Sequence, residues 1–267
     1  MRRCCFFLLI VCTLALPTLR AQSNPELVQV IPPPMRRAEP PSPDSSAEEL
    51  ERRGDELRAE KSYLDALDYY HAALAKNPKN AAAWNKIGIS ELQMRHYKEA
   101  RRHFERAVHI DQGLADAINN LGVALYLQKK YGGAIREYKK AIQLQPDSAS
   151  FYSNLGAVYF SEKDFEKATY AYSQAVRLDP TVFEHTSQSG VSAQTTTLED
   201  RAHFEYVLAK LFAKEGDSDR SLQYLKRAME EGYKGIDDVY KAPEFERLRS
   251  DARFTQLMAS RPPSIPE

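Results

Sequence analysis

Apolar residues recur at steps of three and four positions through most of the chain, which is the spacing of one face of an α-helix. Residues 115–148 contain two such stripes, formed by Ile118, Leu121 and Leu125 and then by Ile135, Tyr138, Ala141 and Ile142. The short polar stretch Gln128-Lys129-Lys130 separates them. Two amphipathic stripes joined by so short a break predict a helical hairpin.

The same pattern recurs with a period of 34 residues in four ungapped copies. Each copy has a glycine, two alanines and two aromatic residues in register. The glycines are Gly54, Gly88, Gly122 and Gly156, and the alanines are Ala66, Ala100, Ala134 and Ala168, then Ala73, Ala107, Ala141 and Ala175. The aromatics are Tyr63, Tyr97, Tyr131 and Phe165, then Tyr70, Phe104, Tyr138 and Tyr172. We expect four hairpins, at 47–80, 81–114, 115–148 and 149–182. The small residues should lie where helices cross closely, because a larger side chain there would overpack the crossing.

This pattern resembles the tetratricopeptide repeat (TPR), a 34-residue helix-turn-helix unit that stacks into a right-handed superhelix. The second copy reproduces its motif with Trp84, Ile87, Gly88, Tyr97, Ala100, Phe104 and Ala107. The resemblance implies an all-α protein, a right-handed α-solenoid of TPR hairpins. Arg53 and Glu91 depart from it at core-leaning positions, which weakens local packing there.

The C-terminal part follows the pattern less closely. We expect residues 183–199 to be a polar linker, residues 200–260 to be a divergent TPR-like hairpin with a helical cap, and residues 261–267 to be a disordered tail. In the divergent hairpin Ala209, Ser221 and Ala228 take the small-residue places. Residues 242–260 resemble the closing segment of many bacterial TPR arrays, and a solenoid needs such a cap over its open apolar end.

The N-terminus has the features of a secretory signal peptide. Met1-Arg2-Arg3 is followed by an apolar run to Leu16, and Ala21 is a small residue at a suitable cleavage position. We expect residues 1–21 to be removed and the protein to be periplasmic or extracellular, with bacterial origin inferred from the closing segment. An uncleaved anchor is the alternative. All three cysteines lie before residue 13 and would leave with the signal.

Residues 22–46 are rich in proline and contain no aromatic residue, so they predict an extended, disordered spacer. A docking peptide for a proline-binding module is the alternative. Where the spacer ends, Ser46 and Glu49 are placed to form a capping box at the first helix.

Charge and motifs exclude several classes of function. Lysine plus arginine and aspartate plus glutamate both number 37, which argues against a nucleic-acid-binding protein. Without Arg2, Arg3 and Arg20 the mature chain would have 34 basic residues against 37 acidic ones. No HExxH, phosphate-binding glycine loop or GxSxG motif occurs. We therefore predict a non-catalytic protein with no cofactor and no metal.

The TPR resemblance implies a concave groove lined by the first helix of each hairpin. The residues expected to bind a partner there are Lys86, Ile89, Asn120, Val123, Leu127, Asn154 and Phe160. Asparagine amides can hold a peptide backbone through both donor and acceptor. The alternative is that these asparagines only bridge neighbouring helices. Glu51 and Asp55 replace the lysine and asparagine of the carboxylate clamp that holds chaperone tails in some TPR proteins, which disfavours strongly acidic partners.

These observations predict an interaction scaffold of the cell envelope that holds an extended segment of another protein in its groove. Its partner would be a protein or peptide, and the cleaved chain would have no membrane span. The alternative function is a structural subunit that packs laterally or end-on in an envelope complex, with its groove unused. The sequence does not predict an oligomeric state.

Overall fold

The computed structural model describes residues 38–184 and 198–260. The predicted signal peptide and tail lie outside these residues, as does most of the predicted spacer and linker. Within the described residues every regular element is helical and no β-strand occurs, so the predicted all-α fold class is confirmed. No helix in these same ranges is long and apolar enough to cross a membrane.

Eight helices form four consecutive hairpins. The first helices are α1 (Ala47–Ala59), α3 (Ala81–Gln93), α5 (Ala115–Leu127) and α7 (Ala149–Ser161). The second helices are α2 (Tyr63–Lys76), α4 (Tyr97–Ile110), α6 (Tyr131–Leu144) and α8 (Phe165–Leu178). Each first helix packs against its own second helix, which in turn packs against the first helix of the next hairpin. This serial packing produces the expected solenoid.

Each hairpin is closed by a contact between its glycine and the aromatic residue 16 positions later. A Cβ added to Gly122 would lie 2.6 Å from a ring carbon of Tyr138, and at Gly88 it would lie 2.5 Å from Phe104. Both rings are fully buried. Glycine is required here because the ring of the second helix rests directly on the backbone of the first.

The turn within each hairpin has a left-handed residue in the same place. Lys61, Arg95, Lys129 and Lys163 have φ between 58° and 64°, and Gly216 has φ 83° at the matching turn of the C-terminal hairpin. The next residue donates its amide back into the helix, as Lys130 does to the Leu125 carbonyl at 2.9 Å. This is a Schellman-type ending, which reverses the chain within a few residues.

The C-terminal part consists of a fifth hairpin and a cap. The hairpin is α9 (Leu198–Glu215) and α10 (Ser218–Glu230), and its Ser221 hydroxyl donates to the Ala209 carbonyl at 2.8 Å. The cap has three 3-10 helices, Ile236–Tyr240, Pro243–Phe245 and Leu248–Ser250, followed by α11 (Ala252–Ser260).

The cap buries the apolar residues that the sequence placed there, including Phe245, Leu248 and Phe254. The expected helical cap is not one continuous helix, because Phe245 and Leu248 lie in separate 3-10 turns. Arg249 holds these turns together by donating to the Val239 and Ala242 carbonyls, each at 3.0 Å.

Residues 38–46, the last part of the predicted spacer, lie against α2. Tyr69 donates its hydroxyl to the Glu39 carbonyl at 3.0 Å, and Lys76 donates to the Pro43 carbonyl at 2.8 Å. The expected capping box is present, since Ser46 Oγ accepts from the Glu49 amide and Glu49 Oε2 accepts from the Ser46 amide. This stretch therefore differs from an extended spacer, because the side chains of α2 bind its carbonyl groups.

Two glycines of the third hairpin test the ring-on-backbone contact. Gly122→Ala should lower the free energy of unfolding by about 1–3 kcal/mol, because Tyr138 is buried and cannot move aside. Gly132→Ala is the matched control, since nothing lies within 4 Å of its added Cβ, and it should raise stability by about 0.5 kcal/mol. Urea unfolding measures both values. Equal effects of the two substitutions would contradict the contact's role.

Candidate functional site

The first helices are joined by side-chain contacts between residues 35 positions apart. Lys86 Nζ lies 2.6 Å from Glu51 Oε1, Asn120 Nδ2 donates to Asn85 Oδ1 at 3.1 Å, and Asn154 Nδ2 donates to Asn119 Oδ1 at 3.0 Å. A spacing of 35 is one repeat plus one residue. Each contact therefore joins a residue of one first helix to the residue that follows its equivalent on the next first helix. We call these three contacts the inter-helix ladder.

Three of the four asparagines of the ladder are buried, and they are linked to one another. Asn119 is 1% exposed, and Asn120 and Asn154 are each 5% exposed. Asn119 Nδ2 also donates to Asn120 Oδ1, at 3.4 Å, which joins two rungs of the ladder. Buried amides need such partners, because an unpaired one loses its hydration without compensation. The asparagines therefore bridge neighbouring first helices.

At each end of the asparagine ladder, one polar atom of a side-chain amide makes no hydrogen bond to another described residue. Within the described chain, no hydrogen bond uses Asn85 Nδ2 or Asn154 Oδ1. Asn85 is also only half-buried. One end of the asparagine ladder thus offers a donor and the other end offers an acceptor.

The first rung of the ladder is ionic. Besides its contact with Glu51, Lys86 Nζ lies 2.7 Å from Asp55 Oδ2. Partial burial alone would lower the pKa of Lys86, but hydrogen bonds to Asp55 and Glu51 outweigh it and raise that pKa. Tyr70 donates its hydroxyl to Asp55 Oδ1 at 2.8 Å. The charge of Lys86 is therefore compensated within the chain.

The predicted apolar residues of the groove fall into two groups. Ile89 and Leu127 are half-buried and keep surface available for a partner. Val123 and Phe160, which were also expected to bind a partner, are each 2% exposed and offer almost no surface to one. The ring of Phe160 packs against Phe204 of α9, with ring centroids 6.0 Å apart. This contact could not be predicted from the repeat pattern, because it depends on where the fifth hairpin lies.

A cavity that the sequence did not suggest lies where α7 meets the fifth hairpin. Its volume is about 140 Å³, and it is lined by Ser153, Ala157, Tyr172, Phe183, Phe204, Glu205, Leu208, Tyr224 and Arg227. We call it the junction cavity. Ser153 and Ala157 belong to a first helix, so the cavity continues the groove-forming surface.

Glu205 is the acidic residue of the junction cavity. Its Oε2 is buried and has no hydrogen-bond partner in residues 38–184 and 198–260. Burial raises the pKa of Glu205 to about 7, with Arg227 and Arg201 opposing the shift and Glu231 adding to it. The sequence did contain a signal: aligned on Ala209, Glu205 takes the place of Leu50, Trp84, Ile118 and Tyr152 in the other repeats. A carboxylate at a position otherwise apolar marks an irregular site.

No group of three or more histidine, cysteine, aspartate or glutamate side chains in the described ranges is arranged to hold a metal ion. Glu205 does not form part of a metal site either, because the other groups that line its cavity include aromatic rings and Arg227 but no second metal-binding side chain.

The ladder can be tested by truncating its most buried member. Asn119→Ala would leave Asn154 Nδ2 and Asn120 Oδ1 without partners in the core, which should lower the free energy of unfolding by about 1–3 kcal/mol. Asn85→Ala should cost less, because the half-buried end of the ladder can be rehydrated. Guanidinium unfolding of both variants gives the comparison, and a smaller loss for Asn119→Ala than for Asn85→Ala would contradict it.

The pKa of Glu205 implies a dependence of stability on pH. Between pH 4.5, the ordinary value, and about pH 7 this carboxyl holds more protons in the folded chain than in the unfolded chain. The free energy of unfolding should therefore fall as the pH rises through this window. Glu205→Gln should remove that fall and stabilise the protein at pH 8 by about 1–2 kcal/mol, less than the full shift implies because the side chain is partly exposed. Urea unfolding at pH 4.5 and pH 8 measures both effects, and an equal effect of Glu205→Gln at the two pH values would contradict the assignment.

Three protein-family models match consecutive and overlapping parts of the array. The matches are to a tetratricopeptide repeat model over residues 57–124, a TPR repeat model over residues 124–163, and a second tetratricopeptide repeat model over residues 149–182. A search of curated protein sequences found no match.

Several solved structures are similar to this chain. The chain is 18% identical to MamA 41-end from Desulfovibrio magneticus RS-1, with 71% of this chain and 96% of that chain covered and a TM-score of 0.50. A crystal structure of MamA protein is 22% identical, with 74% and 95% covered and a TM-score of 0.49. The structure of YrrB, described as a TPR protein with an unusual peptide-binding site, is 18% identical, with 74% and 93% covered and a TM-score of 0.48.

The repeated glycine-aromatic contacts, the serial hairpins and the three family matches agree with one another. Residues 57–182 of this chain therefore consist of tetratricopeptide repeats.

Proposed function

We propose that this protein is a non-catalytic binding module of the cell envelope, which holds an extended segment of another protein against its first helices. The observation that carries the proposal is the inter-helix ladder, because it fixes consecutive first helices in one register. A surface that is already rigid loses little conformational freedom on binding, so more of the contact energy appears as affinity.

The groups left available on this face suit a polypeptide backbone. Asn85 Nδ2 can donate to a backbone carbonyl and Asn154 Oδ1 can accept from a backbone amide, as the ends of the ladder leave both unused in the described chain. Ile89 and Leu127, which are half-buried, add apolar contact beside them. Such a face holds the main chain and favours partners with apolar side chains at intervals.

The charge of this face argues against acidic partners. Glu51 and Asp55 already accept from Lys86, so the first rung offers no uncompensated cation to a carboxylate. An acidic segment would meet these two carboxylates instead, and like charges repel at short range. We therefore propose a neutral or basic segment as the ligand.

Export is part of the proposal. The basic start, the apolar run and Ala21 support removal of residues 1–21, which would place the array in the periplasm or outside the cell. The proline-rich residues after the cleavage point would then set the array off from its attachment or surroundings.

The test compares two double variants that each replace two exposed or half-exposed aliphatic residues by glutamate. Ile89→Glu with Leu127→Glu alters the proposed binding face. Leu144→Glu with Leu178→Glu is the matched control on second helices, where these side chains are 47% and 42% exposed. Each chain is expressed with its own N-terminus and purified from the exported fraction, where its first residue should be Gln22. Partners are then captured from envelope extracts, and melting temperatures confirm equal folding.

We expect the first variant to capture at least tenfold less partner than the wild-type protein, because a charge buried against an apolar segment is strongly unfavourable. The control should capture as much partner as the wild-type protein. Equal capture by the two variants would overturn the groove assignment. Native mass measurement covers the alternative function: a large assembly that survives both variants would identify a structural subunit rather than a peptide-binding module.

A further inference from the structure

The walls of the junction cavity are largely aromatic. Tyr172, Phe183 and Phe204 contact one another edge to face, with ring centroids between 5.3 and 5.8 Å apart and interplanar angles between 75° and 85°. Tyr224 completes the lining from α10. Aromatic faces carry partial negative charge, so walls of this kind attract cations as well as apolar groups.

Glu205 gives the cavity a negative group that has no partner among the described residues. Its Oε2 is buried and makes no hydrogen bond, and the side chain forms no ion pair with another described residue. Arg227 lies on the same lining, but its guanidinium carbon lies 5.2 Å from the centroid of Tyr224 and it does not pair with Glu205. A buried carboxylate that has no directly paired cation is costly, and a cation entering the cavity would reduce that cost.

The volume of the junction cavity limits which cationic side chain can fit inside it. Cavities of about 150 Å³ hold a benzene molecule, which has six heavy atoms. The junction cavity, at about 140 Å³, can therefore hold the five heavy atoms from Cβ to Nζ of a lysine side chain. A guanidinium group with its stem is larger and planar, and fits this volume less well.

The larger cavity between α8 and α9 lacks this combination. It has a volume of about 520 Å³ and includes Lys210 and Glu244 in its lining. These two residues pair with each other at 3.2 Å, and the other lining carboxylate, Glu166, is exposed, so this cavity has no buried carboxylate that lacks an ion pair with a described residue.

We propose that the junction cavity binds the ammonium-bearing side chain of a lysine, held between the aromatic walls and the carboxylate of Glu205. The proposal rests on the proposed function, since the lysine belongs to the segment that lies against the first helices. Ser153 and Ala157 of α7 line the cavity, so a segment following the first helices would reach its opening.

The proposal gives binding a definite pH dependence. Burial raises the pKa of Glu205 to about 7, so the carboxyl is largely neutral at pH 5.5 and charged at pH 8.5. The charged groups that act on it are Arg227 from α10, Glu231 just beyond α10 and Arg201 from α9, and the neutral phenol of Tyr224 from α10 also faces it. A primary ammonium stays protonated over this range. Binding should therefore strengthen as the pH rises, by about tenfold between these two values.

The experiment uses n-butylammonium chloride as the probe and n-butanol as its neutral analogue of the same size. Chemical-shift changes of the backbone amides of Phe183, Phe204 and Glu205 are followed by NMR in the purified protein at constant ionic strength. We expect saturable binding of the ammonium in the millimolar range, as its few atoms allow, and at least tenfold weaker binding of butanol. Glu205→Gln should weaken ammonium binding at least tenfold at pH 8.5.

Glu231→Gln is the matched control, because it removes the same charge from a carboxylate that pairs with Arg201 outside the cavity lining. It should change ammonium binding by less than threefold. Equal binding to the wild-type protein and to Glu205→Gln, or binding of butanol as tight as that of butylammonium, would overturn the proposal. Melting temperatures show that both variants are folded.

The same measurement separates this proposal from the proposed function. Butylammonium should still bind to the Ile89→Glu, Leu127→Glu variant, whose cavity is unchanged. If butylammonium does not bind but partner capture is intact, only the proposed lysine site is overturned and the proposed function stands. Ammonium binding without any captured partner would leave the cavity assignment standing and remove the groove assignment.

Discussion

The contact on which the array depends is the one between a backbone and an aromatic ring. In every regular hairpin the ring of the second helix lies so close to a glycine of the first that an added Cβ would come within 2.5 or 2.6 Å of it. This contact sets the distance and rotation of the two helices within each hairpin. Since it recurs every 34 residues, all four hairpins have the same shape and stack in the same way.

The inter-helix ladder is a consequence of that regularity. Residues 35 positions apart meet on consecutive first helices only because each hairpin has the same geometry as the one before. The ladder begins as an ion pair and continues as two amide contacts, so its chemistry varies while its register does not. A buried polar row of this kind adds specificity of packing and leaves unused hydrogen-bonding groups only at its ends.

The junction differs because the glycine-aromatic contact is lost there. In the fifth hairpin Ala209 and Leu225 replace the glycine and the ring, and Ser221 closes the crossing through a hydrogen bond. The hairpin also follows a longer connection, so α9 packs less closely on α8 than earlier first helices do on their neighbours. Large aromatic residues partly fill the gap and leave the junction cavity beside Glu205. The irregular packing of the fifth hairpin thus creates the cavity in which the buried carboxylate of Glu205 lies.

The sequence by itself determined the helical hairpins, their period and the residues at their crossings, because these depend on local spacing and on side-chain size. It also identified the asparagines as polar residues of the first helices, and one of its two interpretations, helix bridging, describes their contacts. Only the tertiary structure decided that Val123 and Phe160 are buried and that Glu205 faces a cavity. The surroundings of Phe160 and Glu205 depend on how the fifth hairpin packs onto the fourth, where the repeat is interrupted and no periodic pattern specifies the distance between helices.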